Sequence, residues 1–214
     1  MNRKINKIAV IGSGVMGSGI ACHFANIGIE VLLLDITPTK LNENEKELGL
    51  YLDNKKVKNR IVNEMFQKCV KSKPAPLFHK NFSKRVRLGN LTDDIQKISN
   101  VDWIIEVVTE KLSIKKIVFE QIEKFRSTGT LVTSNTSGIP IKQMNEGRSE
   151  DFRNNFAVTH FFNPPRYLKL FEIIPGPDCS SETIDFLNDF GERFLGKESV
   201  LAKDTPGFIG NRIG

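Results

Sequence analysis

Two constellations in this sequence have residue types and spacing that could do chemistry. The first is Gly12-Ser13-Gly14-Val15-Met16-Gly17 followed by Asp35. In a G-x-G-x-x-G loop, the first glycine permits a tight turn off a strand and the second lets backbone approach a pyrophosphate. The third lets the following helix pack closely on the strand. The helix start presents free N–H groups to an anion. Gly12, Gly14, Val15, Met16 and Gly17 are therefore candidate phosphate contacts. Asp35 falls about 20 residues on, where a carboxylate suits the two hydroxyls of an adenosine ribose. A 2′-phosphate would meet that charge, so the pattern favours NAD over NADP. The second constellation is His160 and Glu172. Ala157–Phe162 and Leu168–Ile174 read as strands joined by Asn163-Pro164-Pro165-Arg166-Tyr167. Antiparallel pairing about Arg166 sets His160 opposite Glu172, with Cβ atoms about 5 Å apart. Glu172 interrupts an apolar run, and a buried acid needs a partner. An imidazole so paired, with an unperturbed pKa of about 6.5, has its tautomer fixed and can accept a proton near neutral pH.

The elements that must position these groups follow from periodicity. Ile8–Ile11 and Val31–Leu34 are short apolar runs of the kind found in buried parallel strands, and the stretch between them keeps near-helical spacing until Gly28. Strand-like Val86–Leu88, Trp103–Val108 and Thr130–Thr133 alternate with helical patterns at Thr92–Ile98, capped by Thr92, and at Ser113–Phe125. In the latter, Ile117, Phe119, Ile122 and Phe125 form the expected buried set. A helix over Ser181–Phe194, capped by Ser180 or Ser181, and a strand at Ser199–Ala202 complete the pattern. Such alternation predicts an α/β fold: a Rossmann-type, doubly wound, mostly parallel sheet with an antiparallel C-terminal edge. Residues 38–85 are too long for an ordinary crossover and predict a projecting helical-hairpin insertion. That window carries twelve Lys and Arg against five acidic residues, while the whole chain has a net charge of +6. The basic excess is thus local and points to an anionic partner.

Composition excludes several classes. No apolar run approaches the length of a membrane span and no signal peptide is evident. The three cysteines and three histidines are scattered, which suggests neither a disulfide framework nor a metal site and fits a reducing, cytoplasmic setting. The basic segment lacks interleaved aromatics, so nucleic acid is not an expected partner.

Four blocks occur in order: the glycine loop with Asp35, Ser134-Asn135-Thr136-Ser137, His160-Phe161-Phe162-Asn163-Pro164 and Lys203-Asp204-Thr205-Pro206-Gly207-Phe208. Together they resemble the NAD-binding domain of L-3-hydroxyacyl-CoA dehydrogenase, most closely the multifunctional fatty-acid-oxidation subtype. The resemblance implies an oxidoreductase interconverting (3S)-3-hydroxyacyl-CoA and 3-oxoacyl-CoA with NAD in β-oxidation. His160 matches the catalytic base and Glu172 the acid that orients it. Ser137 and Asn211 match residues that hold the substrate oxygen, and Asn163 an active-site amide beside the nicotinamide. Glu110 and Lys115 match cofactor contacts. Coenzyme A is anionic, which makes Lys55, Lys56, Lys58 and Lys73 candidate phosphate contacts. The resemblance also implies an organisation: an NAD-binding domain over 1–202, then 203–214 as the start of a helix leading into a missing helical domain. That domain forms a homodimer interface in the family, and a hydratase-type module can be fused to it. Two alternatives stand beside this reading: a 3-hydroxybutyryl-CoA or other hydroxy-acid dehydrogenase, and an NAD-binding regulatory module without catalysis.

Overall fold

The computed structural model describes residues 3–213. Eight strands form one sheet: β1 (Lys7–Ile11), β2 (Glu30–Asp35), β3 (Val86–Asn90), β4 (Trp103–Glu106), β5 (Leu131–Ser134), β6 (Phe156–Phe161), β7 (Leu170–Pro175) and β8 (Glu198–Leu201). Their spatial order is β3-β2-β1-β4-β5-β6-β7-β8. The first six run parallel, so their apolar runs need cover on both faces. The chain then turns back: β7 is antiparallel to β6, and β8 lies outside it, parallel to β7. The order reverses between β1 and β4, the switch point where open α/β sheets bind ligands beyond the strands' carboxyl ends.

Ten α-helices accompany the sheet among the described residues: α1 (Val15–Asn26), α2 (Glu43–Glu47), α3 (Lys55–Lys58), α4 (Arg60–Val70), α5 (Leu91–Asp94), α6 (Leu112–Phe125), α7 (Ile141–Met144), α8 (Glu150–Asn154), α9 (Ser181–Arg193) and α10 (Gly210–Ile213). One core lies between the sheet, α1, α4 and α9, where Phe24 meets Trp103 edge-on with ring centroids 5.3 Å apart. The opposite core packs α6 and α8 on the other face, with Phe119 edge-on to Phe156 at 5.3 Å. Each fully buried aromatic of this kind contributes roughly 1.5–3 kcal/mol.

Three local expectations need correction. The segment from 38 to 85 does not project as one hairpin. Val62 and Phe66 of α4 are buried in the same core as α1, so α4 is the working crossover helix between β2 and β3. The stretch around α2 and α3 stays largely exposed, as do residues 71–75 and 78–81. The short helix after β3 is capped by Asn90, whose Oδ1 accepts from the Asp93 N–H at 2.8 Å, rather than by Thr92. In α6 the buried set is Lys115, Val118, Phe119 and Ile122, while Ile117 is 58% exposed. A lysine takes an interior position there because an acid waits for it.

Candidate active site

The glycine loop sits at the end of β1, and its three glycines are held to glycine for different reasons. Gly12 has φ +104°, and a Cβ there would lie 2.6 Å from the Val107 carbonyl oxygen. A Cβ on Gly17 would lie 1.8 Å from the Gly12 carbonyl oxygen. Both are demanded by the fold itself. Gly14 differs, because no protein atom lies within 4 Å of a Cβ built on it. Gly14 is the N-cap of α1 and makes no side-chain cap, so the helix start opens outward. Asp35, at the end of β2, is fixed beside this loop. Its Oδ2 accepts from the Ser13 N–H at 2.6 Å and from the Ser13 hydroxyl, and its Oδ1 from the Ile36 N–H at 2.7 Å. The backbone cradle, the open position at Gly14 and the anchored acid fit a dinucleotide.

β4 and β5 end in a buried polar network. Lys115 and Glu106 are both wholly buried and paired, with Nζ 2.7 Å from Oε1 and 3.0 Å from Oε2. Glu106 also accepts from the Val108 N–H at 2.7 Å and from the Ser134 hydroxyl. A buried charge pair is tolerated only when such extra bonds satisfy its remaining atoms. Lys115, expected as a cofactor contact, has no exposed side-chain surface. It bears on the cleft through Glu110, whose Oε2 is 3.6 Å from Nζ. Glu110 Oε1 in turn accepts from the Ser137 N–H at 3.0 Å and the Thr136 hydroxyl. Asn135 works structurally, its Oδ1 accepting from the Phe161 N–H at 2.8 Å and joining this loop to the end of β6.

The β6–β7 register places His160 directly opposite Glu172. His160 Nδ1 lies 2.7 Å from Glu172 Oε2, and the carboxylate is fully buried. The other oxygen, Oε1, accepts from the Ile209 N–H at 2.9 Å and the Gly210 N–H at 2.8 Å. Phe162 and Phe208 flank the imidazole, with centroid separations of 4.5 and 5.8 Å. With Nδ1 engaged, Nε2 is the ring nitrogen left for the cleft of about 320 Å³ beside it. Met16, Glu110, Ser137, His160, Asn163 and Asn211 line that cleft. Asn211 Nδ2 is 3.5 Å from the Ser137 carbonyl. The structure therefore gathers these six sequence-selected residues around one space.

The lysine candidates do not gather. Lys55 and Lys56 are exposed on α3, and Lys58 is tied to Asp93 at 2.9 Å. Lys73 instead lines a second cavity of about 260 Å³, which shares Asn163 with the cleft. Lys68 and Arg166 line the same cavity, and the sequence reading had not singled them out. Lys68 was accessible from helical spacing, since Met65, Lys68, Cys69 and Ser72 follow the i, i+3, i+4, i+7 pattern of one face.

Outside the cleft, His23 is buried in α1 with Nε2 3.0 Å from the Leu195 carbonyl, so it is a core residue and not a surface one. Burial, with the Lys197 charge secondary, lowers it to about 4. Lys197 is itself buried, donates to the Pro165 and Leu168 carbonyls, and is lowered to about 8 by desolvation. Among the described residues, no group of three or more His, Cys, Asp or Glu could hold a metal. No helix there is long and apolar enough to cross a membrane.

Comparison with known proteins converges on one family. The family described as "3-hydroxyacyl-CoA dehydrogenase, NAD binding domain" matches residues 7–205. A Bacillus subtilis protein named "Probable 3-hydroxyacyl-CoA dehydrogenase" is 52% identical over 214 residues, covering 100% of this chain and 27% of its own length. A Rickettsia felis protein named "Putative fatty acid oxidation complex trifunctional enzyme" is 38% identical, covering 100% of this chain and 28% of its own. Among solved structures, 3-hydroxybutyryl-CoA dehydrogenase from Escherichia coli K12 superposes with a TM-score of 0.72 at 30% identity, over 98% of this chain and 40% of that one. The chain thus spans under a third of the length of these two curated relatives.

Proposed function

This chain belongs to the 3-hydroxyacyl-CoA dehydrogenase family, whose NAD-binding domain it contains, and on that premise we propose that it serves the interconversion of (3S)-3-hydroxyacyl-CoA and 3-oxoacyl-CoA. The observation that carries the proposal is the buried His160–Glu172 pair opening on the cleft that Met16, at the start of α1, also lines. Gly12, Gly14, Val15, Met16 and Gly17 would hold the pyrophosphate and Asp35 the adenosine ribose, with Glu110 beside the nicotinamide end. When bound, NAD supplies the hydride acceptor.

The protein's own residues handle the proton and the oxygen. Glu172 keeps His160 Nδ1 protonated, so Nε2 takes the proton of the substrate's 3-hydroxyl, and the carboxylate stabilises the imidazolium that results. Ser137 and Asn211 hold the same oxygen, and in the reducing direction their donors polarise the 3-oxo group. Asn163, lining both cavities, positions the substrate between them. The cationic edge formed by Lys68, Lys73 and Arg166 receives phosphates of coenzyme A, with Lys55, Lys56 and Lys58 as outer charges. The greater length of the relatives accommodates a following helical domain with a homodimer interface and a fused hydratase-type module, and the absence of cysteine pairing fits a cytoplasmic site of action.

The test is a titration with NADH and NADPH followed by an assay of 3-oxoacyl-CoA reduction, read as the oxidation of NADH. NADH is expected to bind at least about tenfold more tightly than NADPH. His160→Gln is expected to lower turnover by about a hundredfold or more while NADH binding holds. Failure to bind NADH would overturn the proposal.

A further inference from the structure

We propose that the backbone of Ile209 and Gly210 is a positioning element of the His160–Glu172 pair. It fixes the carboxylate so that the imidazole stays in the Nδ1–H form with Nε2 turned to the cleft. The proposal deepens the reading of His160 as the base and rests on it. A buried carboxylate has about four acceptor sites, and each one left empty is costly. Here Oε2 is spent on His160, and the two N–H groups at 2.9 and 2.8 Å supply Oε1. These donors arrive from a segment 37 and 38 residues further along the chain. Without them the carboxylate could rotate about its terminal bond and draw Oε2 away from the ring.

The segment that brings them is anchored on both sides. The Ala202 N–H donates to Ile173 of β7 at 2.9 Å, and Asp204 Oδ2 accepts from the Ile141 N–H of α7 at 2.9 Å. The chain then turns at Phe208, whose φ of +48° is uncommon for a bulky residue. Its ring is 2% exposed and lies against His160. The next turn of backbone passes so close to Phe162 that a Cβ on Gly210 would be 2.4 Å from the ring's Cζ. Phe162 is the other aromatic against His160. Glycine at 210 thus lets one backbone stretch reach Glu172 without displacing the ring beside the histidine. The same contact supplies a point variant that must move either the donor or the ring.

The experiment is ¹⁵N–¹H correlation of histidine ring nitrogens at a pH where the rings are neutral, with His160 assigned through His160→Gln. His23 is the internal reference, because its Nε2 faces a carbonyl and should remain in the opposite, Nε2–H form throughout. The wild-type chain is expected to show His160 as the Nδ1–H tautomer. Gly210→Ala, and a chain ended after Gly207, are each expected to raise the Nε2–H population of His160 several-fold while His23 does not change. Phe208→Ala removes the ring but keeps both N–H donors and should retain the wild-type tautomer. NADH binding reports that each variant is folded; where the shortened chain fails it, Ile209→Pro, which lacks one of the two N–H donors whichever way the Phe162 ring moves, decides. Retention of the Nδ1–H form in every folded variant overturns the positioning role. That result leaves the base itself untouched, which stands or falls on turnover in His160→Gln.

Discussion

The β1–α1–β2 cradle and the β6–β7 site lie at one end of the same sheet but are made of different material. The cradle is backbone. Its ligand-facing surface comes from glycines and a helix start, with Asp35 as the one charged side chain. The β6–β7 site is side chain: an imidazole, a carboxylate and two flanking rings, each with its partner. The difference separates two kinds of fragility. A site made of closely apposed backbone fails when an atom is added, whereas one made of buried partners fails when an atom is taken away.

The largest expected effect tests the first half of that statement. Gly17→Ala would place a methyl 1.8 Å from the Gly12 oxygen and 2.9 Å from its carbon, both backbone atoms with nowhere to go. The expected loss is more than about 4 kcal/mol of stability, read as a collapse of the urea midpoint. A near-wild-type midpoint would break the comparison at its root. Glu172→Ala tests the second half. It removes the common partner of the His160 ring and of two backbone N–H groups, at a cost of about 3 kcal/mol. Glu172→Gln restores most of the shape and should recover stability. Its amide cannot both accept from the two N–H groups and accept from Nδ1–H, so turnover should still fall about a hundredfold. Recovery of turnover along with stability would show that the carboxylate only fills space.

Two buried histidines sharpen the same contrast. His160 has a carboxylate on one nitrogen and a cleft at the other, whereas His23 has a carbonyl on one nitrogen and no partner for the other. His23 has nowhere to put a second proton, which is why burial lowers it to about 4. Its folded value lies below the unfolded value of about 6.5, so the unfolded chain binds the extra proton first as pH falls. Stability contributed by neutral His23 is present above pH 6.5 and is lost progressively toward pH 4, by roughly 3 kcal/mol at most. Urea midpoints at neutral pH and at pH 5 should differ accordingly, and His23→Met should remove most of that dependence. An unchanged slope in His23→Met would assign the acid loss to other groups.

These pairs also show what the linear sequence could and could not disclose. The cradle was legible because its parts are local: strand, glycines, helix and Asp35 fall within one βαβ unit. The His160–Glu172 pairing was legible because antiparallel register has a period of two and the turn between them is short. The burial of Lys115 leaves no mark in the local sequence, because its partner, Glu106, sits on a strand and not on its own helix. The docking of α4 was missed because a charged, amphipathic stretch looks alike whether its apolar stripe meets a hairpin partner or the sheet. The Ile209–Gly210 contact left no local trace, since backbone donors carry no residue signature.

The smallest effect asked for is the one that separates fold from ligand within the cradle. Gly12 and Gly17 are glycines because neighbouring protein atoms forbid anything else, but Gly14 has open space where its Cβ would be. A methyl there meets nothing in the protein and Gly14 has no positive φ, so Gly14→Ala should leave the thermal midpoint unchanged or slightly higher. If that space is kept for a pyrophosphate drawn against the loop, the same methyl should weaken NADH binding about tenfold, or roughly 1.4 kcal/mol. The two readouts must diverge for the comparison to hold. Unchanged NADH affinity in Gly14→Ala would mean the loop's glycines serve folding alone, and the cradle would then owe its ligand to Asp35 and the helix start.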